Sequence, residues 1–424
     1  MNAPAFDLDA LMLDLGRAAR AAATALAAAS PARRTAGLHA MAGALRRAES
    51  AILAANTRDL AAVEGKGLSA PMIDRLRLSP EVVAGMARAL ETIAAQPDPI
   101  GAEIARWTPA NGLDIARVRT PLGVLAVIYE SRPNVTAEAA GLCVRSANAV
   151  ILRCGSEALL SARAIHSALA EGLAEAGLPA AAVQIVPTAD RAAVGAILRG
   201  LDGAVDLVIP RGGRSLVERV QAEARVPVLG HLEGLCHTYV HAGADLEAAR
   251  AIVVNAKMRR VTVCGATETL LIDRAIAPVA LPLLADTLIA AGCSLRGDAA
   301  ARAIRPDLDP ATEADWRTEY LAPMLAVRIV DDLDGAVDHI RTFGSGHTEA
   351  ILTEDSGAAE RFLAAVDSAI VLWNASTQFA DGGEFGFGGE IGISTSKLHA
   401  RGPVGAEQLT TYKYVVRGTG QVRP

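Results

Sequence analysis

The residues from Asn255 to Thr269 carry the strongest chemical signal in the chain: Cys264 follows Lys257, Arg259 and Arg260 within seven positions. Neighbouring cations lower a thiol's pKa and raise the thiolate fraction that a nucleophile needs. The competing reading of Cys264 is a small buried hydrophobe. A second signal is the run Pro210-Arg-Gly-Gly-Arg-Ser215. Backbone N–H groups of a Gly-Gly turn at a helix start, with arginines on either side, make a ready phosphate site. Arg211, Gly212, Gly213 and Ser215 are therefore candidates for holding a cofactor phosphate. The turn lacks the Gly-x-Gly-x-x-Gly spacing, so a plain strand-to-helix turn competes with that reading. A third signal is the polar, glycine-dense run from Ala375 to Gly405. Unstructured loops of that length inside compact domains are functional or disordered, and the interleaved Phe385, Phe387 and Ile391 favour an ordered one.

These groups need elements to position them. Asp245 can cap a helix whose apolar residues Leu246, Ala249, Ile252, Val253 and Ala256 recur at helical spacing. Thr267 to Ile272 reads as a strand, which puts Cys264 on a helix-to-strand connection. Residues 7 to about 100 read as helices, stepping at three and four through Leu11, Leu15, Ala19, Ala22 and Leu26. From Gly123 the pattern alternates: strands at Val124–Tyr129, Ala149–Arg153, Val183–Val186 and Val205–Ile209 are separated by helices. That is the signature of parallel βαβ units, which place ligands at the carboxyl ends of their strands. A second α/β run spans residues 267 to 373. Asn111-Gly112 marks a hairpin between Ile104–Trp107 and Leu113–Val118, and Thr410–Val416 reads as a further strand. These strands form either an arm that joins a neighbouring subunit or a surface ribbon within one chain.

Bulk composition narrows the class. At 424 residues, with 51% apolar and 21% charged residues, the chain has core enough for two or three globular domains. A net charge of −6 with mixed signs argues against a nucleic-acid partner. Five scattered cysteines without a Cys-x-x-Cys argue against a disulfide framework or a zinc site, and suit a reducing cytoplasm. No apolar run of about 18 residues is available to span a membrane, and no export signal is expected at the N-terminus.

Several segments together resemble a known family. They are Ile209-Pro-Arg-Gly-Gly-Arg-Ser-Leu, Gln221-Ala-Glu-Ala-Arg-Val-Pro-Val, His231-Leu-Glu-Gly-Leu-Cys-His-Thr-Tyr-Val, Asn255-Ala-Lys, Cys264-x-Ala-Thr-Glu-Thr-Leu-Leu and Ile393-Ser-Thr-Ser-Lys-Leu-His-Ala-Arg-Gly-Pro-Val-Gly. They resemble the γ-glutamyl phosphate reductases, a branch of the aldehyde dehydrogenase superfamily, along almost the whole chain. The resemblance implies an α/β, aldehyde-dehydrogenase-like fold: a Rossmann-like cofactor domain, an α/β catalytic domain and a small β oligomerisation arm. In this sequence these fall at 1–100 and 119–232, at 233–405, and at 101–118 and 406–424 respectively. It implies NADPH-dependent reduction of L-glutamyl 5-phosphate to L-glutamate 5-semialdehyde and phosphate, in proline synthesis, by a homo-oligomer (dimer or tetramer).

By the same resemblance Cys264 is the nucleophile, Asn134 binds the oxyanion and Glu233 takes the place of the general base. Glu319 matches the cofactor-ribose glutamate, and Arg153 and Ser156 stand where the adenosine ribose binds. Ser156 replaces the acidic residue typical of NAD enzymes, which suits NADP(H). The branch leads one to expect asparagine after the nucleophile, and here that residue is Gly265. Arg132, Lys257 and Arg260 are candidate partners for the substrate's anionic groups, with Ser376 and Thr377 reaching in from the glycine-rich loop; each is equally readable as an ordinary surface residue. Glu233 either assists thiol deprotonation or orients its surroundings. Cys236, in an apolar strand-like setting, reads as inert. A hydrolytic NAD(P)-dependent aldehyde dehydrogenase is the alternative enzyme; an acyl-cysteine transferase and a nucleotide-binding regulator are the alternatives outside that class.

Overall fold

The computed structural model describes residues 7–67 and 70–423, so the first six residues of the expected cofactor domain and Pro424 of the expected arm lie outside the described residues. The chain opens with α1 (Leu8–Ala28), α2 (Pro31–Arg47), α3 (Glu49–Val63), α4 (Ala70–Leu76) and α5 (Pro80–Ala95). Local chemistry sets their starts. Ser30 and Ser79 cap α2 and α5 through their hydroxyls, each followed by a proline at the first helical position. Next come β1 (Glu103–Trp107), β2 (Asp114–Pro121), β3 (Val124–Tyr129), α6 (Val135–Arg145), β4 (Ala149–Cys154), α7 (Leu159–Glu175), β5 (Val183–Ile185), α8 (Ala192–Leu198), β6 (Leu207–Arg211) and α9 (Arg214–Glu223).

Strands β3 to β6 form a four-stranded parallel sheet in the order β5-β4-β3-β6. Its two faces alternate along the sequence. Leu125, Val127 and Tyr129 point into a core built with α2, α5, α6 and α7, while Val124, Ala126 and Ile128 face α1 and α8. Burying each of the larger aliphatic side chains among them is worth about 1.5–3 kcal/mol. The strand order reverses between β3 and β6, so the crevice for a ligand opens at Tyr129-Glu130 and at Arg211.

The second unit holds β7 (Cys236–Val240), α10 (Leu246–Met258), β8 (Thr267–Asp273), α11 (Ala277–Ala290), β9 (Ser294–Gly297), α12 (Ala299–Ile304), β10 (Asp309–Pro310), β11 (Met324–Val330), α13 (Leu333–Phe343), β12 (Thr348–Leu352), α14 (Ser356–Ala365) and β13 (Ile370–Trp373). Its strands form one parallel sheet, β10-β9-β11-β8-β7-β12-β13, buried on both faces. As the sequence predicts, Asp245 caps α10, accepting from the N–H groups of Glu247 and Ala248. Among the described residues no helix is long and apolar enough to cross a membrane.

The C-terminal segment departs from the expected boundaries. The glycine-rich run is ordered, with a short antiparallel pair, β14 (Ile393–Ser394) and β15 (Gly402–Pro403). Ile391, Ala400, Val404, Ala406 and Leu409 are buried in the core of the first unit, not the second. Buried Asn148 ties them down, donating to the Leu409 carbonyl while accepting from the Gly123 N–H. The last strand, β16 (Thr410–Arg417), pairs antiparallel with β2, which also pairs with β1, so the hairpin and the C-terminal strand form one three-stranded sheet.

Candidate active site

Cys264 lies in the connection between α10 and β8, half-buried, where the two units meet. Its partners are two histidines distant in sequence. A ligand atom of His231, the Cys264 sulfur and a ligand atom of His347 all lie within 4.8 Å of one another. Burial opposes a thiolate here. The imidazoles of His347 and His231 outweigh it and hold the thiol well below its usual range. His231 is oriented by its Nδ1, 2.7 Å from the Ile393 carbonyl. A carbonyl only accepts, so Nδ1 carries the proton and Nε2 is left for the sulfur. His347 is fully buried, with Nδ1 2.8 Å from Thr348 Oγ1.

The three cations that drew attention in the sequence are therefore not what activates the thiol. Lys257 is fully buried and paired with Glu268 at 2.5 Å, so it holds the core and reaches no substrate. Burial drives the Glu268 carboxyl up to about 7 in spite of that lysine. Arg259 donates to Gln378. Arg260 is exposed and lies in a group of guanidiniums with Arg132, Arg211 and Arg75. Burial first, and then those neighbours, draw the Arg132 pKa down to about 10, while the Cys264 thiolate pulls it back up. Arg132, Arg211 and Arg260 thus make a cationic cluster near the sulfur.

Acids stand close to the same cluster. Glu390 sits in the glycine-rich loop, accepting from the Gly382 N–H at 3.0 Å, and burial raises its carboxyl to about 7 despite Arg211. Glu138 is likewise raised, by burial ahead of any neighbouring charge. Glu319 accepts from the Gly234 N–H at 3.0 Å. Burial lifts its carboxyl, and the nearby Cys264 thiolate adds to the rise.

Other expectations change. Glu233, the expected base, is paired with Arg214 at 3.0 Å, and the basic groups at the sulfur are the two histidines instead. The Gly212–Gly213 turn does not wait open for a phosphate. Glu130 accepts from the Gly213 N–H at 3.0 Å, and its carboxylate fills the space over Gly212, so the anion site is already satisfied. Arg211 leaves that turn and packs over Gly392, facing Glu390. Ser215 is exposed on α9. Ser376 and Thr377 are buried with their hydroxyls committed. Ser376 accepts from the Gln378 N–H, and Thr377 closes a chain of hydroxyls through Thr267 to Thr238. Asn134 stands at the start of α6, where its side chain caps no backbone N–H. Arg153 and exposed Ser156 lie together at the carboxyl end of β4, and the Arg153 Nε is buried without a partner. Cys236 is buried and inert as expected, its thiol pushed well above the usual range by burial.

Close packing holds the cysteine in place. A Cβ on Gly234 would stand 2.1 Å from the Cys264 carbonyl oxygen, so only glycine lets these two segments touch. At Gly265 a Cβ would stand 3.1 Å from the Thr377 carbonyl, a tight contact that a side chain would relieve only by a shift of a few tenths of an ångström. His231 and His347 are the residues that sequence reasoning passed over. They are 116 positions apart, and the one local hint was the placement of His231 two residues before Glu233 in the segment His231-Leu-Glu-Gly.

Two parallel α/β units meet at half-buried Cys264, and residues 12–294 match the aldehyde dehydrogenase family model, which places the chain in that class. The chain is 66% identical to the gamma-glutamyl phosphate reductase of Caulobacter sp. (strain K31) over 98% of its own length and all of the relative's. It superposes on the crystal structure of gamma-glutamyl phosphate reductase from Thermotoga maritima with a TM-score of 0.95 at 42% identity, covering 97% of this chain and 100% of that one. An acetylating aldehyde dehydrogenase from Geobacillus thermoglucosidasius shares the fold at a TM-score of 0.71 and 18% identity, over 99% of this chain and 100% of that one. The chain belongs to the gamma-glutamyl phosphate reductases of the aldehyde dehydrogenase family, and is an oxidoreductase.

Proposed function

We propose that this enzyme reduces L-glutamyl 5-phosphate to L-glutamate 5-semialdehyde and phosphate with NADPH, a step of proline synthesis. The observation that carries the reading is the thiol set between two imidazoles, all within 4.8 Å, near the Arg132, Arg211 and Arg260 cluster. The substrate brings a phosphate and an α-carboxylate to those cations, and its ammonium group finds partners in Glu390 and Glu138. The Cys264 sulfur attacks the acyl carbon, the bond to the phosphate oxygen breaks and a thioester is left. The negative charge that develops on the carbonyl oxygen is met by Asn134 and main-chain N–H groups at Cys264, each donor worth about 3–4 kcal/mol. When bound, the nicotinamide supplies hydride to the thioester carbon. The C–S bond then breaks, releasing the aldehyde and returning the thiolate to its imidazoles.

Arg153 and Ser156 fit an adenosine ribose: an arginine with an unpartnered buried Nε beside an exposed hydroxyl, and no carboxylate at position 156 to repel a 2′-phosphate. This supports NADP(H). Glu319, close to Cys264, is suited to the ribose on the nicotinamide side. Five free cysteines fit a reducing cytoplasm. Tyr412, Tyr414 and Val416, exposed on one face of β16 with Trp107 against Tyr414, fit a contact in a homo-oligomer, whether dimer or tetramer.

The test is NADP⁺ reduction by glutamate semialdehyde, with and without phosphate, on wild type and Cys264→Ser. The reading expects phosphate-dependent turnover that the serine variant loses. Turnover that ignores phosphate would instead identify a hydrolytic enzyme.

A further inference from the structure

We propose that His231, Cys264 and His347 form a zinc site, and that zinc held there is a reversible inhibitor of the enzyme. The three donor atoms lie within 4.8 Å of one another, the one such group of histidine, cysteine and acidic residues among the described residues. A tetrahedral zinc ion takes a thiolate at about 2.3 Å and imidazole nitrogens at about 2.0–2.1 Å, so its ligand atoms are a few ångströms apart. Small side-chain rotations close the remaining gap.

The surroundings suit a metal more closely than proximity alone requires. Ligating imidazoles give one nitrogen to the metal and donate the other N–H to a fixed acceptor. His231 does this with the Ile393 carbonyl at 2.7 Å, and Thr348 Oγ1, 2.8 Å from His347 Nδ1, can accept the same bond when His347 carries its proton there. His347 Nε2 is fully buried and has no hydrogen-bond partner. Thiolate with two neutral imidazoles is a donor set that zinc favours over magnesium or calcium. Three protein ligands leave a fourth position for water or an anion. Arg132, beside the sulfur, opposes a dication, and the thiolate charge offsets it.

The consequence follows from shared use of one atom. Zinc and the acyl phosphate both need the Cys264 sulfur, so the metal excludes the substrate and leaves the Arg153–Ser156 region untouched. Zinc binding replaces any proton on the imidazole nitrogens, which goes to solvent, and no bond of the protein is made or broken otherwise. Only the inhibition rests on Cys264 being the reactive thiol; binding is measured separately.

The experiment uses the full-length enzyme stripped of metal by a chelator. One zinc per chain should remain after dialysis against zinc sulfate, and should be lost in Cys264→Ala and in His347→Ala. Cobalt substituted on the wild type should show a sulfur-to-cobalt charge-transfer band, a readout that needs no variant. Zinc should slow alkylation of Cys264 by iodoacetamide at least tenfold, and a chelator should restore it. Zinc retained by Cys264→Ala, or a cobalt spectrum without the thiolate band, overturns the site. Binding with those signatures but without loss of turnover overturns the inhibition. Failure of phosphate-dependent turnover in the metal-free enzyme would count against the proposed reaction and leave the zinc result standing.

Discussion

Replacing Gly234 by alanine isolates the packing that aims the nucleophile. The added Cβ would lie 2.1 Å from the Cys264 carbonyl oxygen, and real Cβ atoms do not come closer than 3.0 Å, so the two segments must part by about 0.9 Å. Gly234 does not hold a positive φ, so alanine brings no backbone strain of its own. Its main effect is displacement. The moving part carries either Cys264 or the 231–235 segment, which holds His231 and, through the Gly234 N–H, Glu319. A misplacement near 1 Å in a catalytic group costs about 10²-fold in rate. Overpacking of this kind costs about 1–3 kcal/mol in stability. We therefore expect kcat to fall roughly a hundredfold, together with a lower Tm. The measurement is steady-state NADP⁺ reduction beside thermal unfolding and the iodoacetamide alkylation rate of Cys264. A folded Gly234→Ala enzyme with wild-type kcat and alkylation rate would refute the claim that this contact positions the thiol.

Other outcomes follow from the same geometry. His231→Gln should shift the pH profile of Cys264 alkylation upward, because one of the two imidazoles that favour the thiolate is gone; an unchanged profile would leave His347 as the sole activator. Glu233→Gln should keep kcat within about tenfold of wild type, since this carboxylate is tied to Arg214, and a much larger loss would restore it as the base. Glu268→Gln leaves Lys257 buried and unpaired and should cost about 3–5 kcal/mol in unfolding free energy, while a double replacement of the pair by apolar residues should recover much of it. Glu390 has its folded pKa raised to about 7, so the folded state binds its proton more tightly than the unfolded state does. The stability this adds is complete below the unfolded carboxyl pKa and is lost as pH rises through about 7. Glu390→Gln should flatten that part of the stability profile, measured by urea unfolding from pH 4.5 to 8.

Strand and helix patterns were legible because they depend on short-range periodicity. Val124–Tyr129 is a strand at the predicted limits, and Asp245 caps its helix as expected. The burial of Cys236 and the helix-to-strand setting of Cys264 could be read for the same reason. The activation of that cysteine could not. Lys257, Arg259 and Arg260 are its neighbours along the chain, yet a helix end turns Lys257 into the core, where Glu268 neutralises it.

The amino-acid sequence by itself determined most of the strands and helices and the two α/β units, singled out Cys264 as the candidate nucleophile, and through motif resemblance carried the family. The tertiary structure alone decided what stands beside the sulfur. His231 and His347 reach it from loops before β7 and β12, strands that are adjacent in the sheet and far apart in the chain. Likewise only folding shows Glu130 filling the Gly212–Gly213 turn, and the C-terminal run from Ile391 to Leu409 packing into the first unit. Electrostatic and steric effects act over a few ångströms of space, and the linear spacing of residues does not record which distant side chains those ångströms contain.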